Sequence, residues 1–346
     1  MTSILTPSEL IDRLAGGLDH WSFADGSAPV VVLDLDAPDD SGALARVVEL
    51  LGSAPVVMIG TSSAPCDRPE ASELDVLLCD ASNEPSPWVS CPSGAKVTAA
   101  RLVDAISGSP SAAVSLVQLL RVSATVTAAD AVVAESWVYS LLQGGVEHRG
   151  WLADRADAPR RPRPDGPVVD VRRSDDVLSV TLDRPEVRNA YGARMRDELV
   201  EALLLADLDR TITMVEVRGN GPVFCSGGDL DEFGTAPGPL ASHLVRTTRN
   251  AGIVLSRLAP RVRFEVHGSC VGAGVELPAF AGRVIATSDA TFRLPEVAMG
   301  LVPGAGGTSS IPRRIGRHRT AFMALSGDTF DAPTALRWGL IDEVRD

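Results

Sequence analysis

Apolar residues along this chain follow two rhythms that alternate. Short β-branched runs bounded by turn residues read as strands, and longer stretches with apolar positions three and four apart read as helices. Strand-like runs fall at residues 30–35 (VVVLDL), 55–59 and 74–78, with a helical run at 44–51 between the first two. Before them, Pro7-Ser8 opens a helix with Leu10, Ile11 and Leu14 on one face, expected to reach about residue 27. This β-α-β order with short connections predicts a parallel sheet. Residues 81–93 read as loop. Three helices are then predicted at 99–106, 112–120 and 128–142, with Ser111 and Thr127 as N-caps.

The rhythm stops at residues 155–166 (RADAPRRPRPDG), a Pro- and Arg-rich stretch that reads as a solvated linker. It divides the chain into a unit at 1–155, a connector at 156–167 and a second unit at 168–346. The second unit starts with β-type runs at 168–172 and 177–182. An amphipathic helix at 193–207 follows, with Met195, Leu199, Ala202, Leu203 and Ala206 on one face. Next come a strand at 214–218, one helix at 241–258, the dense segment 264–307, and short helices at 320–325 and 333–338.

Composition narrows the picture. The chain has 346 residues, 45% of them hydrophobic and 22% charged, a globular balance able to bury a sizeable core. A formal net charge of -13 argues against nucleic acid as partner. Lys96 is the only lysine, which argues against lysine chemistry in the second unit; phosphates would be held by Arg or backbone N–H groups. The five cysteines include no CxxC, so neither a disulfide framework nor a zinc ribbon is expected. No basic, apolar leader opens the chain and no apolar run reaches membrane-spanning length. The expectation is a cytoplasmic protein without membrane or metal partners.

Candidate chemistry concentrates in two segments. Phe224-Cys225-Ser226-Gly227-Gly228-Asp229 follows a strand and a turn, and paired glycines there let backbone approach a ligand. The same pattern also fits a plain strand-to-helix turn capped by Asp229. Gly272-Ala273-Gly274 opens a helix, presenting free N–H groups suited to an oxyanion. It lacks the third glycine of a dinucleotide fingerprint, and Gly304–Gly307 lacks the Gly-Lys of a phosphate loop. Glu276 stands in an apolar run (VELPAF), where burial would raise its pKa towards acid/base use. Glu296 follows Pro295 at a turn. Ser226 is not in a GxSxG elbow, which argues against a serine hydrolase.

Together these motifs resemble the crotonase (enoyl-CoA hydratase/isomerase) superfamily over residues 168–346. The matching pieces are Arg184-Pro185-Glu186-Val187-Arg188-Asn189-Ala190, residues 223–230, His267-Gly268 through Glu276, 292–300, 303–307 and Gly339-Leu340. The resemblance implies an α/β crotonase-like (ClpP/crotonase) superhelix of ββα turns that takes an acyl-CoA thioester as substrate, with no further cofactor. It implies oxyanion donors at Ser226 and Ala273, the hydratase pair at Glu276 and Glu296, and a CoA-binding region including Arg188, Ala190, Gly228, Asp229 and Gly272. The implied reaction is hydration of a 2-enoyl-CoA. An isomerase, decarboxylase or thioester hydrolase, or a weakly active acyl-CoA-binding subunit, is the alternative. A homo-oligomer (a trimer or dimer of trimers) is implied, with a partner chain as a further option.

Departures from the pattern are Ala273 within the usual GGG, Pro278 early in the catalytic helix, Gly282 for Asp, and Glu265 and His267 before the turn. The family's C-terminal helices have no counterpart after Asp346. Residues 112–155, with Glu135-Ser136-Trp137, Glu147-His148 and Trp151-Leu152, resemble that tail instead. The first unit is therefore expected to be a shortened crotonase-like unit that lends helices to the second.

Overall fold

In a computed structural model describing residues 4–15, 29–38, 42–82, 85–158, 161 and 165–346, the first half forms a five-stranded parallel sheet. Its strands, β1 (Ile4–Leu5), β2 (Val30–Asp34), β3 (Val57–Ser62), β4 (Val76–Cys79) and β5 (Val89–Ser90), lie side by side in chain order. Alternation puts Val31, Leu33, Met58 and Leu77 on one face, under helices α1 (Pro7–Leu14) and α2 (Ala43–Leu51). Val30, Val32, Val57, Ile59, Val76 and Leu78 face the other way, into a core continuous with that of the second half. Both faces are buried, which is why these strands read as unbroken apolar runs.

Four helices follow: α3 (Ala95–Gly108), α4 (Pro110–Ser123), α5 (Ala128–Gln143) and α6 (Val146–Ala153). Thr127 caps α5 by accepting from Asp130 N–H, as expected. Ser111 does not cap α4. Pro110 already occupies the first turn, and Glu147 of α6 instead accepts from the Ser111 and Ala112 amides at 2.7 and 3.1 Å. The predicted extension of α1 towards residue 27 lies outside the described residues.

The second half builds a six-stranded sheet from β6 (Val169–Ser174), β7 (Val177–Leu182), β8 (Met214–Gly219), β9 (Val262–Val266), β11 (Arg283–Ala286) and β14 (Glu343–Val344). All its neighbours are parallel except the β6–β7 hairpin. A second, small sheet holds β10 (Ser269–Val271), β12 (Thr291–Arg293) and β13 (Thr329–Asp331). The chain steps from β9 to β10 and from β11 to β12, which gives repeated ββα turns.

Helix α7 (Ala193–Leu208) buries its predicted stripe. The single helix expected at 241–258 is two, α8 (Pro239–Thr248) and α9 (Ala251–Leu258), because Asn250 leaves helical geometry and caps α9 through Ile253 N–H. After β10 comes α10 (Ala273–Glu276), four residues long and ended by a 3-10 turn at Pro278–Phe280, since Pro278 lacks the N–H to continue it. Helix α11 (Gly307–Ser326) starts well before the predicted 320–325 and breaks at Gly316 (φ 79°, ψ 158°); α12 (Ala332–Trp338) follows.

Helices of the first half pack directly on the second. α4 and α5 lie against α11, and α5 also lies against α8 and α9. The connector is tied down at Arg161, which binds Asp231 (2.7 Å) and Asp229 (2.9 Å) and so is not a free solvated cation. Among the described residues no single helix is long and apolar enough to cross a membrane.

Candidate active site

Parallel pairing of β10 with β12 and the Cys225–Cys270 bridge bring the two Gly-rich segments together. They meet at a cavity of about 440 Å³, lined among others by Gly228, Asp229, Ala273, Glu276, Glu296 and Ala305. Tyr139 of α5 and Arg246 of α8 close another side, the guanidinium standing 4.3 Å over the Tyr139 ring.

Glu276 is 2% exposed. Its Oε2 accepts from the Ala305 and Gly307 amides, both at 2.8 Å. Burial pushes its pKa up to about 7, while those two amides pull the other way. Glu296 has a buried Oε2 without a hydrogen-bond partner, and desolvation followed by the nearby Glu276 raises its pKa well above the usual range. Gly272 makes room for it. A Cβ there would stand 2.4 Å from Glu296 Oε1, and the backbone sits at φ 49°.

The backbone donors differ from expectation. The Ser226 N–H donates to Arg188 O at 3.0 Å, so it does not point at a ligand. Tyr191 pairs through Gly227 O and Asp229 N–H, so the Gly228 N–H between them faces the other way, where Gly228 lines the cavity. Ala273 also lines it, at the first position of α10. The Ser226 amide is thus turned into the backbone while Gly228 lies on the cavity side, the chain turning between them at Gly227 (φ 89°).

Other expected ligand contacts have different duties. The Gly272 N–H donates to Arg293 O (3.0 Å). Asp229 lines the cavity but its carboxylate is bound by Arg184 (2.9 Å) and Arg161. Ala190 is buried at 4% exposure, and Arg188 is exposed with φ 56°. Asn189 between them latches Arg184 N–H to the Asn220 and Phe224 carbonyls.

Among the described residues no histidine is placed for a relay through Ser226: His148 meets Met299 O, His243 meets Ser136 and Trp137, His267 meets Gly221 O, and His318 meets Ser72 O. Burial pushes the Cys225 thiol up to about 12, which argues against a thiolate nucleophile. Among the described residues no cluster of His, Cys, Asp or Glu is placed to hold a metal.

Sequence reasoning missed Glu135 as a site residue. It is 2% exposed and accepts from Gly306 N–H (2.7 Å), Thr308 N–H (2.9 Å) and Thr308 Oγ1 (2.7 Å). Its signal was the one used for Glu276, a carboxylate in an apolar run (AVVAES). Tyr139 and Arg246 gave no signal of their own.

A crotonase-type core whose carboxylates and backbone donors share one cavity defines an α/β acyl-thioester class, and sequence comparison supports it. The family profile described as enoyl-CoA hydratase/isomerase matches residues 172–345, and the chain belongs to that family. It is 36% identical over 174 residues to 2,3-dehydroadipyl-CoA hydratase of Escherichia coli, a match covering 50% of this chain and 68% of that protein. It is 39% identical to a probable enoyl-CoA hydratase of Rhodobacter capsulatus, covering 49% and 66%. It is also 36% identical to 1,2-epoxyphenylacetyl-CoA isomerase of Escherichia coli, covering 49% and 66%. A solved enoyl-CoA hydratase of Mycobacterium smegmatis is 30% identical, covering 52% of this chain and 70% of that one, with a TM-score of 0.48. The chain thus spans about two thirds of the length of these relatives.

Proposed function

We propose that the protein is an enoyl-CoA hydratase, adding water to the double bond of a 2-enoyl thioester. The observation that carries this is the facing of two buried carboxylates, Glu276 and Glu296, into one cavity that also receives Gly228 and Ala273 backbone. In this reading the Gly228 and Ala273 N–H groups hold the thioester oxygen as negative charge develops there. The two glutamates hold one water. Its oxygen bonds to the β-carbon, one of its protons passes through a carboxylate, and the α-carbon receives a proton as the enolate collapses. A carboxyl titrating near neutrality suits this exchange, because it is readily found in either state. Exposed Arg188 and cavity-lining Arg196 are the cations we assign to the coenzyme's phosphates. Relatives named as a hydratase and as an isomerase both match, so the same oxyanion site serving a double-bond shift is the second reading.

The first half belongs to the proposal as a shortened copy of the same unit. Its support is the chain-order parallel sheet and the seating of its helices on the second half. A homo-oligomer belongs to it too.

The test follows loss of the enoyl-thioester chromophore over short, long and aromatic enoyl-CoAs. Glu276→Gln and Glu296→Gln are each expected to lower turnover by roughly 100-fold or more. Turnover unchanged in both would remove the paired-carboxylate mechanism. Isomerised product without hydration would favour the second reading.

A further inference from the structure

The amides of residues 305–308 form one row at the start of α11, and two carboxylates share it alternately. Glu276 takes Ala305 and Gly307; Glu135 takes Gly306 and Thr308. The Thr308 hydroxyl adds a further donor to Glu135. No amide of the row is left over, so neither acid can move without disturbing the backbone that holds the other. Glu276 belongs to the second half, whereas Glu135 arrives on α5 from the first.

We propose that Glu135 is a positioning residue for Glu276: by pinning alternate amides of this row it fixes where the cavity-facing oxygen of Glu276 points. This rests on the acid/base reading of Glu276. Two like charges attached to successive amides cannot both ionise cheaply when both carboxyls are buried. Burial, then Glu276, pushes Glu135 up to about 8, above Glu276 at about 7, so Glu276 loses its proton first and the two titrate as a pair. The other groups facing the pair are Glu296 from the turn after β12, Tyr139 on α5, Tyr191 before α7, Cys225, and Arg246 on α8. Arg246 is the nearby cation, itself weakened by burial, and it is occupied with Ser140 (2.6 Å) and Tyr139. Thus Glu135, still protonated when Glu276 ionises, is the carboxyl that shares a backbone row with it.

The decisive variant is Glu135→Gln in the full chain. Turnover is expected to fall by up to about 100-fold through loss of alignment. The loss should fall on kcat rather than KM, and the acid limb of the rate–pH profile should stay in place, because Glu135 is still protonated when Glu276 ionises. A cap that served folding alone would not single out kcat. Glu147→Gln is the control, since Glu147 also caps two amides, but at the start of α4, away from the row that holds Glu276. It should lower the melting temperature and leave kcat in place.

Infrared titration of the buried carboxyl C=O band supplies a readout independent of turnover. Glu135→Gln should remove one band, and Glu276→Gln should remove another and move the Glu135 midpoint downward. If Glu135→Gln does not fold, Thr308→Val serves: losing the hydroxyl donor loosens Glu135 on the row, and kcat should again fall. An unmoved kcat in the folded variant, or a Glu135 midpoint unmoved by Glu276→Gln, overturns the proposal. Failure of the acid/base reading looks different, because Glu276→Gln would then keep full turnover whatever the Glu135 midpoint does.

Discussion

Glu135 and Glu276, both 2% exposed, with half-buried Glu296 beside them, make an unusual demand on pH. Each ionises normally in the unfolded chain, near 4.5, but Glu276 is pushed to about 7 and Glu135 to about 8 in the fold. A carboxyl with a raised folded pKa binds more protons folded than unfolded, so stability falls as pH rises through that window. The penalty is absent below about 4.5, grows between there and 8, and is complete above. The melting temperature of the wild type should therefore decline over this range more steeply than that of Glu135→Gln, which lacks one such group. Parallel curves from calorimetry would contradict this assignment of burial. At this scale the Gly-rich motifs flanking Glu276 and Glu296 pointed to a shared pocket, and both side chains line one cavity. It was silent about the role of Glu135, whose partner amides lie 171 and 173 residues away. It also placed a cavity donor at Ser226, whose amide binds Arg188 O, because the turn at Gly227 and the long-range Arg188 contact leave no local signal.

Elements were legible wherever local chemistry decided them. Thr127, the stripe of α7 and the β6–β7 pair all follow from short-range pattern. The split between α8 and α9 was missed because apolar spacing runs through it while Asn250 interrupts the backbone. The start of α11 was missed because the Gly-rich sequence before it looks like loop, and its amides are satisfied by distant carboxylates rather than a local cap. The Asn250 side chain accepts from Ile253 N–H at 3.0 Å, and α9 is packed by α5 and α7. Asn250→Ala should cost about 1 kcal/mol, read as a lower denaturation midpoint with the same slope. Because α8 lines the cavity and α9 does not, substrate affinity is expected to change little. A large loss of affinity without loss of stability would show that the α8–α9 corner shapes the cavity directly.

For the whole molecule, the sequence changes composition at residues 155–166, yet the stretches on either side share one core. Val30, Val32 and Ile59 of the first sheet belong to the same buried cluster as Phe264, Val284 and Ile311. A bidentate Arg101–Asp328 contact (2.8 and 2.7 Å) reinforces this packing. A protease site placed between Ala158 and Asp165 should give two fragments that co-elute in size exclusion and keep turnover. Separation of the fragments in native buffer would mean that the shared core is not what joins them.

The alternate grip of Glu135 and Glu276 on residues 305–308 also has a temporal side. Glu276 finds its amides 29 and 31 residues away, but Glu135 must wait for a stretch synthesised far later. Closing so long a loop adds little to the equilibrium cost, which grows only with the logarithm of length. It does delay the event, since distant contacts form after local ones. Competence is thus expected to appear last in folding: each half acquires its sheet first, and the cavity becomes functional only when the early carboxylate meets the late amides.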